Sequence, residues 1–418
     1  MAGRRLSRWG RVWLAGLWWL ALPFTVTESH GCSLAAHATL PVTLRMGVFT
    51  LFQPRFVWLR AHDRPAALQL TGQTFRLSPQ MTCRIEHTAS GLVIWQGNQL
   101  MAASDRLTVA AADVTLEVVG RKTRVQRQFQ GTLAITALEK CLQLVVTQPV
   151  DAVVAAVVSA ELPPDAPLEA SKALAIVVRS YVAHQVGRHA GEGFDLCDST
   201  HCQLFLGDQW IRQEAGGKTG GKLSVVAQKV AADTAGEVLQ NVDATIYSAY
   251  FAACCGGRTT SPDVAFGAGL DQSGVACRWC KASRFFTWTR QVDRRRLARA
   301  LLAETSVTDD IRIEVANRTA DGFVASLAVT IGSRQIVVPN HRFRHLVGQQ
   351  LGWNLVLSSR YVIEPRGDAL VLRGHGFGHH VGLCLDGSLA QARAGRTHQD
   401  ILRYYFPQAT VGPCRVGR

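Results

Sequence analysis

An alternation of apolar and polar residues near the start of the chain constrains the fold most strongly. Residues from about 39 to 145 contain short runs of this kind, such as VTLRMGVFTLF, LVIWQG and DVTLEVVG, with Gly and Asp-Arg breaks between them. A period of two residues is typical of strands that place one face in a core. We therefore expect a β-rich accessory region over residues 32–145, and we find no catalytic constellation within it.

The periodicity changes at Val150. Apolar residues at helical spacing predict an amphipathic helix from Leu168 to Gln185, and they are Leu174, Val177, Val178, Tyr181 and Val182. Downstream, ATIYSAYFAA is typical of a strand, RRRLARALLAE of a short helix with a basic face, and FVASLAVTIGSRQIVV of a hairpin. The combination predicts a mixed α+β fold that is rich in β structure.

The N-terminus indicates export. Four arginines precede an apolar run from Val12 to Val26, which is shorter than the roughly 20 residues of a transmembrane helix. We interpret residues 1–31 as a signal peptide or an N-terminal anchor, and Cys32 leaves lipidation open. No later stretch is long enough to span a membrane. The expected location is the periplasm or the cell envelope, with membrane contact only through the N-terminus.

The charge of the chain favours an anionic partner. Lys and Arg total 45 against 31 Asp and Glu, which gives a formal net charge of +14. Such a surplus suits a nucleic acid or a cell-envelope polymer. The basic run Arg294–Arg296 lacks the interleaved aromatic residues of a single-strand binding site, so we expect no nucleic-acid partner.

Eleven cysteines in an exported chain favour disulfides first and metal ligands second. Cys83 and Cys141 could pair with each other. Cys277 and Cys280, in CRWC, form a tight pair that fits a local disulfide or a catalytic motif.

A third group of cysteines has the spacing of metal ligands. Cys197, His201 and Cys202 lie within six positions in GFDLCDSTHCQLF. These residues could hold Zn²⁺ with a fourth ligand from His189, His379 or Cys384. A Cys197–Cys202 disulfide is the alternative.

Glu161 is the most informative carboxylate. It ends the apolar run AVVAAVVSA and directly precedes LPPDAP, whose prolines must stop a helix or strand. Partial burial at such a position would raise its pKa, as a general acid working near neutral pH requires. The alternative is a charge that interacts with the dipole of the following helix.

Closely spaced glycines mark the segment RGHGFGHHVGLCLDG. Gly374, Gly376, Gly378 and Gly382 would let the backbone approach another segment or a ligand, and histidines among such glycines often line a site. A β-bulge or a tight turn requires the same residues.

These segments, in order over roughly residues 148–412, resemble the SpoIID family of sporulation-type peptidoglycan lytic enzymes, which is related to the amidase enhancer LytB. The resemblance is carried by VVSAELPPDAP with the helix and the Cys/His segment after it, by AYFAACCGGRTTSPDVAF, by FRHLVG and LSSRYVI, and by GHGFGHHVGLCLDG with RTHQDILRYYFP. It implies a SpoIID-type catalytic domain over residues 146–412.

The resemblance implies a lytic transglycosylase that acts on peptide-free glycan strands, with Glu161 as the catalytic acid. One carboxyl group protonates the glycosidic oxygen and then draws the proton from the muramoyl C6 hydroxyl, which closes a 1,6-anhydro ring. We expect the loop around His379, with Gly376, Gly378 and Gly382, to form a groove wall opposite Glu161. Arg179 is a further substrate-binding candidate that faces either this groove or solvent.

The resemblance also favours zinc at Cys197, His201 and Cys202, because some family members bind zinc in the matching region. The sequence departs from the family pattern His-Gly-Val-Gly-Met-Ser-Gln over residues 379–385. His380 replaces Gly, Cys384 replaces Ser, and Leu385 replaces Gln.

Two other functions compete with the transglycosylase. The first is a non-catalytic protein that binds the cell wall and activates an N-acetylmuramoyl-L-alanine amidase. The second is zinc-dependent hydrolysis of the stem peptide, which needs an open metal position and a base, and the sequence contains no His-Glu-x-x-His motif.

Overall fold

A computed structural model describes residues 39–120, 122–267, 272–302 and 311–414. The expected signal at residues 1–31 and the question of lipidation at Cys32 lie outside the described residues. Among the residues that are described, no helix has both the length and the apolar character needed to cross a membrane. The expected α+β class, with β structure predominant, is confirmed.

A large sheet forms most of the N-terminal part of the protein. In the described chain it has thirteen strands, which are β1 (Thr43–Val48), β2 (Phe56–Ala61), β3 (Ala66–Leu70), β4 (Gln73–Leu77), β5 (Thr82–Thr88), β6 (Gly91–Gln96), β7 (Gln99–Ser104), β8 (Arg106–Val119), β9 (Thr123–Ala137), β10 (Leu142–Pro149), β11 (Leu196–Cys197), β12 (Gln209–Glu214) and β13 (Gly217–Lys222). The main path runs β11-β1-β10-β9-β8-β2-β5-β6-β7, and the hairpins β3–β4 and β12–β13 attach to β8 and β9. The predicted alternation is confirmed in β2, where Val57, Leu59 and Ala61 are buried and the residues between them are partly exposed.

Helices and short strands follow the sheet. The helices are α1 (Val150–Glu161), α2 (Leu168–Gln185), α3 (Val225–Asp233), α4 (Pro262–Phe266), α5 (Arg294–Leu302), α6 (Asn340–Leu351), α7 (Leu385–Arg393) and α8 (His398–Tyr405). The remaining strands are β14 (Glu237–Gln240), β15 (Phe251–Ala252), β16 (Thr287–Asp293), β17 (Ile311–Arg318), β18 (Val324–Ile331), β19 (Arg334–Pro339), β20 (Arg360–Arg366), β21 (Ala369–His375), β22 (Leu383–Cys384) and β23 (Thr410–Pro413). The predicted helix over 168–185, the basic helix and the hairpin are confirmed as α2, α5 and β18–β19.

One strand prediction is largely wrong. In ATIYSAYFAA only Phe251 and Ala252 form a strand, β15, which pairs with β22. Ala244 adopts a left-handed conformation with φ of 62°, which is incompatible with a strand. The apolar character of the segment reflects its burial in the core, where Ile246, Tyr247 and Ala249 are nearly inaccessible.

The expected division at residues 145 and 146 does not separate two structural domains. The boundary falls inside β10, which pairs with β1 on one side and β9 on the other. From the C-terminal stretch, β11 adds to β1 and β12 adds to β9. The strands from Thr43 onward therefore form one sheet with β11 and β12 of the SpoIID-like stretch.

A second hydrophobic core lies within residues 287–375. Here the sheets β16-β21-β20 and β17-β18-β19 pack with α5 and α6. Its fully buried side chains include Leu297, Phe343 and Leu372. The strand β21 leads from this core directly into the loop around His379 with Gly376, Gly378 and Gly382, which we call the glycine-rich loop.

Candidate active site and metal centre

Glu161 is the last residue of α1. Pro163 and Pro164 follow it, so the backbone turns to an extended conformation at Leu162, whose N–H donates the last helical bond to the carbonyl oxygen of Val158 at 3.0 Å. The carboxyl group thus stands at the C-terminal end of a helix. The acidic residue in the first turn of α2 is Glu169.

The environment of Glu161 favours its protonated form. The residue is half-buried, and its carboxyl group makes no hydrogen bond or ion pair with any described residue. Burial raises the pKa of this carboxyl to about 7. The group can therefore exist as both acid and carboxylate near neutral pH.

The turn of α1 that carries Glu161 is fixed to the end of the β12–β13 hairpin. The Ser159 hydroxyl donates to the carbonyl oxygen of Lys222 at 3.2 Å and accepts from the N–H of Ser224 at 3.0 Å. These bonds fix the position of Glu161 relative to the start of α3.

The predicted metal ligands come together, and His189 joins them. The ligand atoms of His189, Cys197, His201 and Cys202 all lie within 4.8 Å of one another. Cys202 Sγ is 3.3 Å from His189 Nε2, and Cys197 Sγ is 3.6 Å from His201 Nδ1. Two thiols and two imidazoles are a donor set that zinc prefers. Cys197 and Cys202 are free thiols, so the alternative disulfide is not formed.

Glu192 orients His189, the fourth candidate ligand, and this role was not predicted from the sequence. His189 Nδ1 lies 2.6 Å from Glu192 Oε1. A carboxylate can only accept, so Nδ1 donates and Nε2 is left with its lone pair toward Cys202. The spacing of three residues between His189 and Glu192 is the signal that could have identified this pair.

Two aspartates anchor the segment that carries these ligands. Asp195 forms an ion pair with Arg45 at 2.8 Å, and Asp198 forms a buried ion pair with Arg127 at 2.6 Å. Asp198 also accepts from the backbone N–H of Phe49 at 2.5 Å. The ligand segment is thus held against β1 and β9 of the large sheet.

The glycines of the glycine-rich loop serve contacts within the protein. A Cβ at Gly376 would overlap the His380 ring, and one at Gly382 would overlap the carbonyl oxygen of Tyr250. The N–H groups of Gly376 and Gly378 donate to the carbonyl oxygens of Phe285 and Leu357. These two amides are therefore engaged within the protein, and the contact of this loop with glycan stays a prediction.

The two adjacent histidines of this loop differ in exposure. His379 is half-buried, its Nδ1 accepts from the N–H of Val381 at 3.0 Å, and burial lowers its pKa to about 4. A backbone hydrogen bond between the ring and Phe251 opposes this shift without cancelling it, so the ring is neutral. His380 is fully buried, with φ of 66°, and burial lowers its pKa to about 3.

Arg179 does not face a groove or solvent, so that expectation is wrong. Its side chain is fully buried, and it forms an ion pair with Asp151 of α1 at 2.8 Å. The guanidinium also donates to the Thr234 hydroxyl and to the carbonyl oxygens of Ala231 and Glu237. Arg179 therefore joins α1 and α2 to α3 and to the segment after it.

The candidate site residues thus form separate groups. His379 and Cys384 do not complete the His189–Cys202 centre. Cys384 instead lies with Cys255, Cys277 and Cys280. Within the described residues, no hydrogen bond of the glycine-rich loop reaches Glu161, so its placement opposite the acid stays a prediction.

Comparison with known proteins finds a family model that matches the part of the chain with these residues. The model of the SpoIID family, described as stage II sporulation protein, matches residues 139–241, which include Glu161 and the His189–Cys202 centre. The chain is also similar to an uncharacterized protein of Brachyspira hyodysenteriae (strain ATCC 49526 / WA1). The identity is 26% over 286 residues, which cover 67% of this chain and 71% of that protein.

Proposed function

We propose that this chain, of which residues 139–241 match the model of the SpoIID family, is a lytic transglycosylase that cleaves peptide-free glycan strands of peptidoglycan. The match supports a cell-wall-related role, because the family is associated with peptidoglycan-degrading activity. The observation that supports the finer mechanism is the Glu161 carboxyl, which is half-buried, unpartnered and has a pKa raised to about 7.

A single carboxyl group is sufficient for this reaction. Protonated Glu161 donates its proton to the glycosidic oxygen as the bond to muramoyl C1 breaks. The resulting carboxylate then accepts the proton of the C6 hydroxyl, whose oxygen bonds to C1 and closes the 1,6-anhydro ring. The acid returns to its starting state, and no water is consumed.

The His189–Cys202 centre fits a structural zinc ion. His189, Cys197, His201 and Cys202 would hold the ion, and four protein ligands leave no open position for substrate or water. The ion would order the segment after β11. Zinc-dependent hydrolysis of a stem peptide requires an open position, so this donor set argues against that function.

We propose that the substrate is recognised outside the cytoplasmic membrane. A net charge of +14 suits an anionic wall polymer, and the N-terminal sequence is typical of an export signal. His379 is the candidate contact to sugar hydroxyl or acetamido groups.

The test is digestion of purified, peptide-free glycan strands, followed by mass analysis of the muramic ends. We expect 1,6-anhydro ends, which are one water lighter than the reducing ends that hydrolysis leaves. Reducing ends would contradict the mechanism. Absence of cleavage, together with stimulation of a purified cell-wall amidase, would instead support the activator function.

A further inference from the structure

Four cysteines from three separate segments form a buried cluster, which we call the four-cysteine cluster. Cys255 follows β15, Cys277 and Cys280 lie before β16, and Cys384 ends β22. Each is at most 3% exposed, and their Sγ atoms all lie within 4.8 Å of one another. The cluster is distinct from the His189–Cys202 centre and shares no residue with it.

The sulfur spacing fits one tetrahedral ion. Cys255 Sγ and Cys280 Sγ are 3.5 Å apart, and Cys277 Sγ and Cys280 Sγ are 3.9 Å apart. A disulfide requires about 2.05 Å. Thiolates bound to one zinc ion at about 2.3 Å lie about 3.8 Å from each other in tetrahedral geometry. An iron–sulfur cluster places several irons and sulfides between its thiolates and needs a wider cage.

Hydrogen-bond donors surround the sulfurs. The backbone N–H groups of Cys255 and Gly387 donate to Cys384 Sγ at 3.3 and 3.4 Å. The buried Tyr405 hydroxyl lies 3.2 Å from Cys277 Sγ and can donate to it. Cys384 is also the N-cap of α7. Donors and a helix N-terminus stabilise the negative charge that four thiolates leave around a divalent ion.

We propose that Cys255, Cys277, Cys280 and Cys384 bind one structural Zn²⁺ ion. The four ligands come from the protein and are buried, so the ion has no position for substrate. It joins three segments next to the glycine-rich loop, because Cys254 and Phe377 exchange backbone hydrogen bonds at 2.8 and 3.2 Å. The ion thereby holds this loop in place.

The first test is the zinc content of the full chain, purified without chelator or reductant and measured by native mass spectrometry and elemental analysis. We expect two zinc ions per chain. The double variant with Cys277→Ser and Cys280→Ser should retain one zinc ion per chain. The double variant with Cys197→Ser and His201→Ala should also retain one. Cys83→Ser is the matched control, because Cys83 is a buried free cysteine in β5 that belongs to neither metal-ligand group, and this variant should retain two zinc ions. Two zinc ions in the Cys277/Cys280 variant would overturn the proposal.

A second measurement covers the case in which a variant does not fold. X-ray absorption at the zinc edge of the unmodified protein should show an average of three sulfur and one nitrogen ligands per zinc if both centres are filled. Four sulfurs with one zinc per chain would show the four-cysteine cluster filled alone, which also supports the proposal. Two sulfurs with two nitrogens, bound iron in place of zinc, or a disulfide among the four cysteines after alkylation and mass mapping would overturn it.

Discussion

Two glutamates on neighbouring helices show how their surroundings set their charge. Burial acts to raise the pKa of Glu169, but bonds from the His398 ring and backbone N–H and from Lys172 lower it overall. Glu161 has no such donor, so burial alone raises its pKa. At neutral pH Glu169 is therefore an ion-pair partner, whereas Glu161 can carry a proton.

Replacing Glu161 tests the catalytic role directly. Glu161→Gln keeps the shape of the side chain but removes the proton, so glycan cleavage should fall by roughly 10²-fold or more while glycan binding is retained. The readout is release of anhydro-muramoyl products from peptide-free strands. Asp165→Asn, an exposed acid four residues further on, is the matched control and should keep full activity. Cleavage by the Gln variant at the unmodified rate would exclude Glu161 as the acid.

The raised pKa of Glu161 predicts two pH effects. Cleavage needs the protonated acid, so kcat/KM should fall about tenfold per pH unit above pH 7. The folded-state pKa also lies above the ordinary value for Glu, so ionisation destabilises the fold progressively from the ordinary range up to about pH 7. The difference in Tm between Glu161→Gln and the unmodified protein should therefore increase in favour of the variant between pH 5 and pH 8. A constant Tm difference across this range would contradict the raised pKa.

The sequence could identify some site residues but not their grouping. Cys197, His201 and Cys202 lie within one short loop, so their spacing in the sequence was enough to predict that they share a site. His189 could not be chosen from three candidates, because its approach depends on the turn that follows α2. The members of the four-cysteine cluster are spread from residue 255 to residue 384, and only the tertiary fold brings them into contact.

At the scale of elements, Arg179 shows why helix periodicity was an incomplete guide. Its position away from the apolar stripe of α2 indicates a polar face, and the expected neighbour was solvent or substrate. Instead α1 and α3 pack over this face, and Asp151, Thr234 and two backbone carbonyls satisfy the guanidinium. The period of α2 predicted the helix correctly, but it could not show that helices cover it on more than one side.

Replacing Arg179 should affect stability rather than substrate affinity. Arg179→Met removes the ion pair and leaves buried acceptors without donors, so we expect a loss of about 2–4 kcal/mol in the free energy of unfolding. Urea denaturation at neutral pH measures this loss. Lys172→Met on the same helix is the control, because its pair with Glu169 is partly exposed and should contribute less than about 1 kcal/mol. Unchanged stability combined with a raised KM for glycan would restore the substrate-binding role.

At the scale of the whole molecule, strand alternation predicted the class of the N-terminal region but not its connection to the rest. The antiparallel pairing of Thr43–Val48 with residues 144–149 links positions about a hundred residues apart, and no local pattern encodes such a register. Strand β11, which carries Cys197, also needs β1 as its partner. The sheet therefore supports both α1 and the segment that carries the candidate metal ligands.

Truncation tests whether the SpoIID-like stretch can fold without this sheet. A chain that begins at residue 146 loses β1, β9 and the first half of β10, so β11 and β12 lose the strands with which they pair. We expect this chain to aggregate or to be digested rapidly by protease, and to lose zinc at the His189–Cys202 centre because β11 has no partner strand. A chain that begins at residue 32 is the control and should unfold cooperatively. Cooperative unfolding and glycan cleavage by the chain from residue 146 would show that the boundary at 145 separates independent domains after all.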